Sequence, residues 1–169
     1  MKIKVLSACL VSVLLMNCSP KDDDSNGCVE EFVGAVSATE TFLVGDWVLT
    51  ATASNIDVDL TDDGEDNPST DVFAQSTDCQ KDAVYSFNVD RKYSFKNGYS
   101  ATDCAQKFEN KGTFQLAGTN LSITSTCALF NIPIEVNGSE TEFTVTNVVN
   151  VPSNGQTVAA VFTYTYTKM

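Results

Sequence analysis

From Leu43 to the C-terminus, apolar and polar positions alternate with a period of two, and turn residues interrupt the alternation at short intervals. This is the pattern of half-buried β-strands. Eight are predicted. The first is Val44–Ser54, with Trp47, Leu49 and Ala51 on one face. The second is Ala83–Val89, with Tyr85, Phe87 and Val89 together. After a turn at Asp90-Arg91, the third runs Lys92–Lys96 and aligns Tyr93 with Phe95. Asn97-Gly98 carries a type I′ turn signal, followed by a loop over 99–110. The fourth strand is Lys111–Leu116, with Phe114 and Leu116 inward. The fifth is Asn120–Thr126, with Leu121 and Ile123 inward. The sixth is Leu129–Val136 and the seventh Glu142–Val151, with Phe143 and Val145 on one face. The last, Thr157–Lys168, sets Phe162, Tyr164 and Tyr166 against Val161, Thr163, Thr165 and Thr167. No segment carries a helical stripe, so the fold class is all-β, either a barrel or a β-sandwich.

Before Leu43 the pattern changes. Lys2 and Lys4 precede Val5–Met16, which is apolar except for Ser7 and Ser12. That run falls short of the ~20 residues of a membrane-spanning helix. It reads as the apolar region of an export signal over residues 1–17. Ser19-Pro20-Lys21-Asp22-Asp23-Asp24-Ser25-Asn26-Gly27 is polar and turn-rich, so residues 18–37 read as a tether. Val29–Phe42 fits either a short helix or an extended arm. Residues 38–169 then form one domain, long enough for a core of its own.

Composition narrows the chemistry. The signal holds two of the ten Lys and Arg residues and none of the 22 acids, so the remainder carries a formal charge of −14 rather than −12. A surface so acidic disfavours nucleic acid, which needs cations on its phosphates. The chain contains no histidine. Ser-His-Asp and Cys-His nucleophiles are therefore excluded, as are the usual His-containing zinc sites. A hydrolase would need two carboxylates converging in a cleft. No enzyme is expected.

Of six cysteines, Cys9 belongs to the signal. Cys28, Cys79, Cys104 and Cys127 remain after Cys18 and allow three pairings. Cys79 and Cys104 bracket two strands expected to pair, which favours joining them. Closing that loop stabilises a fold by roughly 3.5 kcal/mol in the chain-entropy model. Cys28–Cys127 follows by elimination and ties the N-terminal segment to the domain.

Leu15-Met16-Asn17-Cys18 resembles the lipobox of bacterial lipoproteins, with Asn17 where that family usually has Gly, Ala or Ser. The resemblance implies that Cys18 is lipidated (palmitate-type acyl chains) and anchors the protein to a membrane. Lys21 followed by three acids resembles the export signal of surface-exposed lipoproteins, implying an outer-membrane location, on the cell surface. Gly45-Asp46-Trp47, Cys79-Gln80-Lys81-Asp82, Tyr85-Ser86-Phe87, Tyr93, Cys104, Gly112–Gly118 and Leu121-Ser122-Ile123 resemble the lipocalin-like domain of bacterial outer-membrane lipoproteins over residues 43–168. Phe114 stands where that family often has Trp, and Asp90-Arg91 where it has Asp-Gly. The resemblance implies an eight-stranded antiparallel up-and-down barrel, closed or partly open.

Such a barrel encloses room for side chains or one small molecule. The expected function is to bind a small apolar ligand as a monomer, with Trp47, Tyr85, Phe87, Phe114, Phe143, Phe162 and Tyr164 as lining candidates. The alternative is a filled barrel that meets a protein or glycan on its surface. The insert between the first two strands crowds Asp57, Asp59, Asp62, Asp63 and Asp66. Asp59-x-Thr61-x-Asp63-Gly64 partly matches the start of a calcium loop, which supplies oxygens around a glycine turn. Ca²⁺ is the one cofactor the sequence suggests.

Overall fold

The computed structural model describes residues 27–61, 63–153 and 156–169. The export signal, Cys18 and Asp62 lie outside these. Nine strands form among the described residues: β1 (Gly45–Val58), β2 (Ser69–Asp71), β3 (Ala83–Phe87), β4 (Lys92–Asn97), β5 (Phe108–Ala117), β6 (Asn120–Ser125), β7 (Ala128–Val136), β8 (Glu142–Ser153) and β9 (Gln156–Lys168). From β3 to β9 each strand pairs antiparallel with the next, β1 pairs with β3, and β9 returns to β1. Eight strands thus close into an up-and-down barrel, and β2 is an extra strand on β1. Closure excludes the sandwich and removes the exposed edges a sheet would otherwise have to protect.

The barrel is tight at one end and splayed at the other. Twelve residue pairs join β8 to β9. Only Ile134–Val136 of β7 pair with β8, and only Gly45–Val48 of β1 pair with β3. Beyond these short ladders, β8, β9 and the second half of β1 continue as a ribbon. That ribbon has its own core of Val58, Val72, Val151, Ala160 and Phe162, closed by β2 and the short helix α1 (Val72–Gln75). A second short helix, α2 (Asp78–Lys81), carries Cys79.

Four details depart from the sequence pattern. Ala51 does not share a face with Trp47 and Leu49, because the register shifts between Leu49 and Ala51. The extra residue, Thr50, inverts the alternation, so Thr52 and Ser54 are buried and Ala51 is exposed. β1 also runs on to Val58, past the expected end at Ser54. Val89 leaves the β3 face and lies 63% exposed in the turn, where Arg91 adopts φ 67°. β5 starts at Phe108, shortening the expected loop.

The tight end is plugged by the chain that precedes β1. A 3-10 turn at Thr41–Leu43 buries Leu43, and Trp47 Nε1 donates to the Leu43 carbonyl at 2.7 Å. Lys168 Nζ donates to the Phe42 carbonyl at 2.6 Å and sits 5.5 Å from the Trp47 ring centroid. Behind the plug lies a buried ion pair. Arg91 makes two parallel hydrogen bonds to Glu40, at 2.7 and 2.8 Å. The amides of Leu116 and Ser37 donate to the same carboxylate at 2.9 and 2.7 Å.

Both expected cysteine pairs form. Cys79–Cys104 spans 5.6 Å between Cα atoms and Cys28–Cys127 spans 4.1 Å. The second fixes an extended arm: Phe32 N donates to Thr113 Oγ1 and Val36 N to the Val89 carbonyl. The arm covers the outer face of β5 and β6, which is why Thr113 and Thr124 are buried there.

Candidate functional site

Alternation along five neighbouring strands turns a set of side chains into the splayed end. Tyr85 on β3 pairs across with Phe95 on β4, and Phe95 with Asn110 on β5. Ile123 on β6 pairs with Phe130 on β7. Tyr93 points the same way, opposite Gly112, whose missing side chain leaves space for the ring. Together with Ile132 they wall a cavity of about 440 Å³, and Leu129 and Asn131 complete its lip. This volume lies within the ~300–1,000 Å³ range of small-molecule sites.

The floor of the cavity is packed aromatic. Tyr85 stacks on Phe87 at 5.7 Å between centroids, and Phe87 meets the edge of Phe114 at 4.8 Å. Phe143 lies 5.0 Å from Trp47 and 5.1 Å from Tyr166. Of the seven lining candidates, only Tyr85 faces the cavity. Trp47, Phe87, Phe114 and Phe143 are fully buried in the floor. Phe162 belongs to the ribbon core, and Tyr164 packs against both cores. In sequence Ile123 reads as inward and Tyr93 as sharing a face with Phe95, but nothing in the pattern separates the three from the floor. Phe130 and Ile132 carried the same period-two signal on β7.

Among the described residues no charged side chain lines the wall. Burial pushes the Tyr85 hydroxyl up to about 12, and burial raises Tyr93 as well. Both phenols are thus neutral at physiological pH. At the lip, Asn110 Oδ1 accepts a hydrogen bond from Ser125 Oγ. The arrangement suits an uncharged, largely apolar molecule with a polar group near Asn110, since the Asn131 side chain turns to the outer face and accepts from Asn120 and Ser122.

The acidic insert is held by its own hydrogen bonds. Asp59 accepts from the Thr61 amide at 3.1 Å and hydroxyl at 2.9 Å. Asp63 accepts from the Glu65 amide at 2.9 Å and Asn67 Nδ2 at 3.1 Å, and the Glu65 amide is the main reason its carboxyl lies below the ordinary range. Asp57 and Asp66 are exposed. Among the described residues no three acidic or sulfur side chains converge on a common point.

The fold and site define a class: a closed, disulfide-bonded antiparallel barrel with an uncharged aromatic cavity at its splayed end. Two disulfides of this kind mark an extracytoplasmic protein. No helix among the described residues is long and apolar enough to cross a membrane. The model of a domain of unknown function, DUF5004, matches residues 21–168, and the chain belongs to that family. No curated protein matches it.

Proposed function

We propose that this protein is an exported, lipid-anchored lipoprotein of the outer membrane whose lipocalin-like barrel binds one small, uncharged, apolar molecule. Its activity is binding rather than turnover. The cavity of about 440 Å³, walled by Tyr85, Tyr93, Phe95, Ile123 and Ile132 and free of charge, is the observation that carries the ligand. The lipobox-like Leu15–Cys18 and the extracytoplasmic disulfides support the anchor.

The test uses N-phenyl-1-naphthylamine, an uncharged apolar dye that brightens in dry surroundings. It is expected to bind the soluble domain saturably, one per chain. Ile132→Trp, which fills the cavity from its wall, is expected to weaken binding tenfold or more, about 1.4 kcal/mol, with the melting temperature nearly unchanged. Unsaturable binding, or equal binding by both proteins, refutes the cavity as a site. A second reading, a non-enzymatic surface contact with a protein or glycan, draws on the outer face of the ribbon, where Val148 and Val161 pair and remain exposed. It gains if the cavity takes no dye.

A further inference from the structure

The chain enters the barrel beside the cavity mouth. Cys28 is bonded to Cys127, in the turn between β6 and β7. That turn lies at the splayed end: the opposite turn, at Gly118, adjoins the plug, where the Leu116 amide meets Glu40. Leu129 and Phe130, two and three residues past Cys127, are themselves cavity lip. From Cys28 the arm descends the wall toward Val36 and the plug.

The lip is apolar and uncovered. Leu129 is 44% exposed, Phe130 49%, and Phe108, 6.1 Å from Phe95, 55%. Tyr99 stands nearby with Lys96 and Lys107 over its ring at 5.8 and 5.6 Å. Aromatic rings flanked by lysines are the usual furniture of a membrane interface. Of the acids near this edge, Glu109 is paired with Lys111 at 3.0 Å and Lys96 at 3.7 Å and Asp82 accepts from the Ser100 and Ala101 amides, while Glu30, Glu31 and Asp103 are exposed. The acidic insert hangs from β1 and β2, across the ring of eight strands from β6.

Reach decides the orientation. Ten peptide steps separate Cys18 from Cys28. Fully extended they span about 35 Å, roughly the length of the ten residues of β5. The closed end could meet the bilayer only if all ten ran straight along the wall. With the mouth toward the bilayer no such extension is needed.

We propose that the Cys28–Cys127 disulfide is an orienting clamp: it turns the cavity mouth toward the bilayer that holds the Cys18 anchor, so that the lip of Leu129, Phe130 and Phe108 touches the lipid surface and the cavity exchanges an apolar molecule with the membrane. This rests on the proposed anchor and cavity. The lipidated protein, purified from membranes, is placed in phosphatidylcholine vesicles with brominated acyl chains, which quench nearby tryptophan. Trp47, the sole native tryptophan, is fully buried in the floor and supplies the background. Phe130→Trp is expected to be quenched at least twofold more than Ser139→Trp at the closed end. Cys28→Ser with Cys127→Ser is expected to bring that ratio toward one. Equal quenching at both ends with the clamp intact, stronger quenching at 139, or no acyl mass on Cys18 overturns the proposal. If the clamp variant fails to fold, the first comparison decides alone. Dye binding by the soluble domain is read separately. Dye binding with symmetric quenching refutes only the orientation. A quenched lip without dye binding refutes the cavity reading and, with it, the exchange, while the orientation stands.

Discussion

Glu40→Gln is expected to destabilise the barrel by about 3–5 kcal/mol, the cost of leaving a buried charge without its partner. Arg91 is 7% exposed and Glu40 2%, so neither can turn to water when the other is lost. The neutral amide also faces four donors with an oxygen that can serve only some of them: both Arg91 nitrogens and the Leu116 and Ser37 amides. Acid titrates the same interaction. The Arg91 guanidinium, opposed by burial and helped by the Leu116 amide, holds the Glu40 carboxyl at about 2 against an ordinary 4.5. The folded pKa is depressed, so the stabilisation is fully present above about 4.5 and is lost as pH falls toward about 2. At 1.36 kcal/mol per unit this is about 3 kcal/mol. Denaturant midpoints of the native protein should therefore fall between pH 5 and 2, and those of Glu40→Gln should fall less. Glu40→Met with Arg91→Met should recover part of the loss, because no charge stays buried, though the two amides remain unpaired. Parallel pH profiles for native and Glu40→Gln proteins would contradict this account.

The same pair marks where the pattern of residues stops being informative. Alternation bounded by turn residues places β4 and β6 to β9 and the inner part of β5, because Phe162, Tyr164 and Tyr166, like Phe143 and Val145, sit on unbroken period-two runs with one wet face. Period two says nothing about an inserted residue, so the shift at Thr50 and the burial of Thr52 and Ser54 were invisible. Val89 continued the apolar phase of Tyr85 and Phe87. The chain turns early there because Arg91 must reach inward to Glu40, a partner 51 residues away that no local signal announces. The disulfides were legible because four cysteines admit few pairings and two of them bracket a hairpin. The cavity was not. Inward aromatics look alike in sequence, and whether one packs or lines depends on the gap opposite it. Val58 and Val72, which build the second core, were hidden among the acids of the insert.

Gly112→Ala is expected to cost well beyond the ~3 kcal/mol of ordinary overpacking, and the reason lies in backbone rather than side chains. A Cβ at 112 would stand 1.7 Å from the Thr124 carbonyl oxygen and 2.9 Å from its carbon. No rotamer relieves a clash with backbone; β5 and β6 would have to part. Their separation is fixed on both sides of the contact. The Thr113 and Thr124 hydroxyls hydrogen-bond to each other, Phe32 N donates to Thr113, and Ser125 Oγ donates to the Lys111 carbonyl. Parting the strands would release the arm and the β6 end that carries Cys127. It would also displace Tyr93, whose ring carbon lies 3.1 Å from the same point, and so deform the cavity wall. Gly138→Ala is the matched control. Nothing lies within 4 Å of a Cβ there, and its backbone is not in the left-handed region. In thermal melts Gly138→Ala should stay near the native protein, while Gly112→Ala should melt ~10 °C or more lower or fail to fold. It should also lose dye binding before it unfolds. If the two variants melted together, the close approach of β5 and β6 at Gly112 could not be what sets the shape of the cavity.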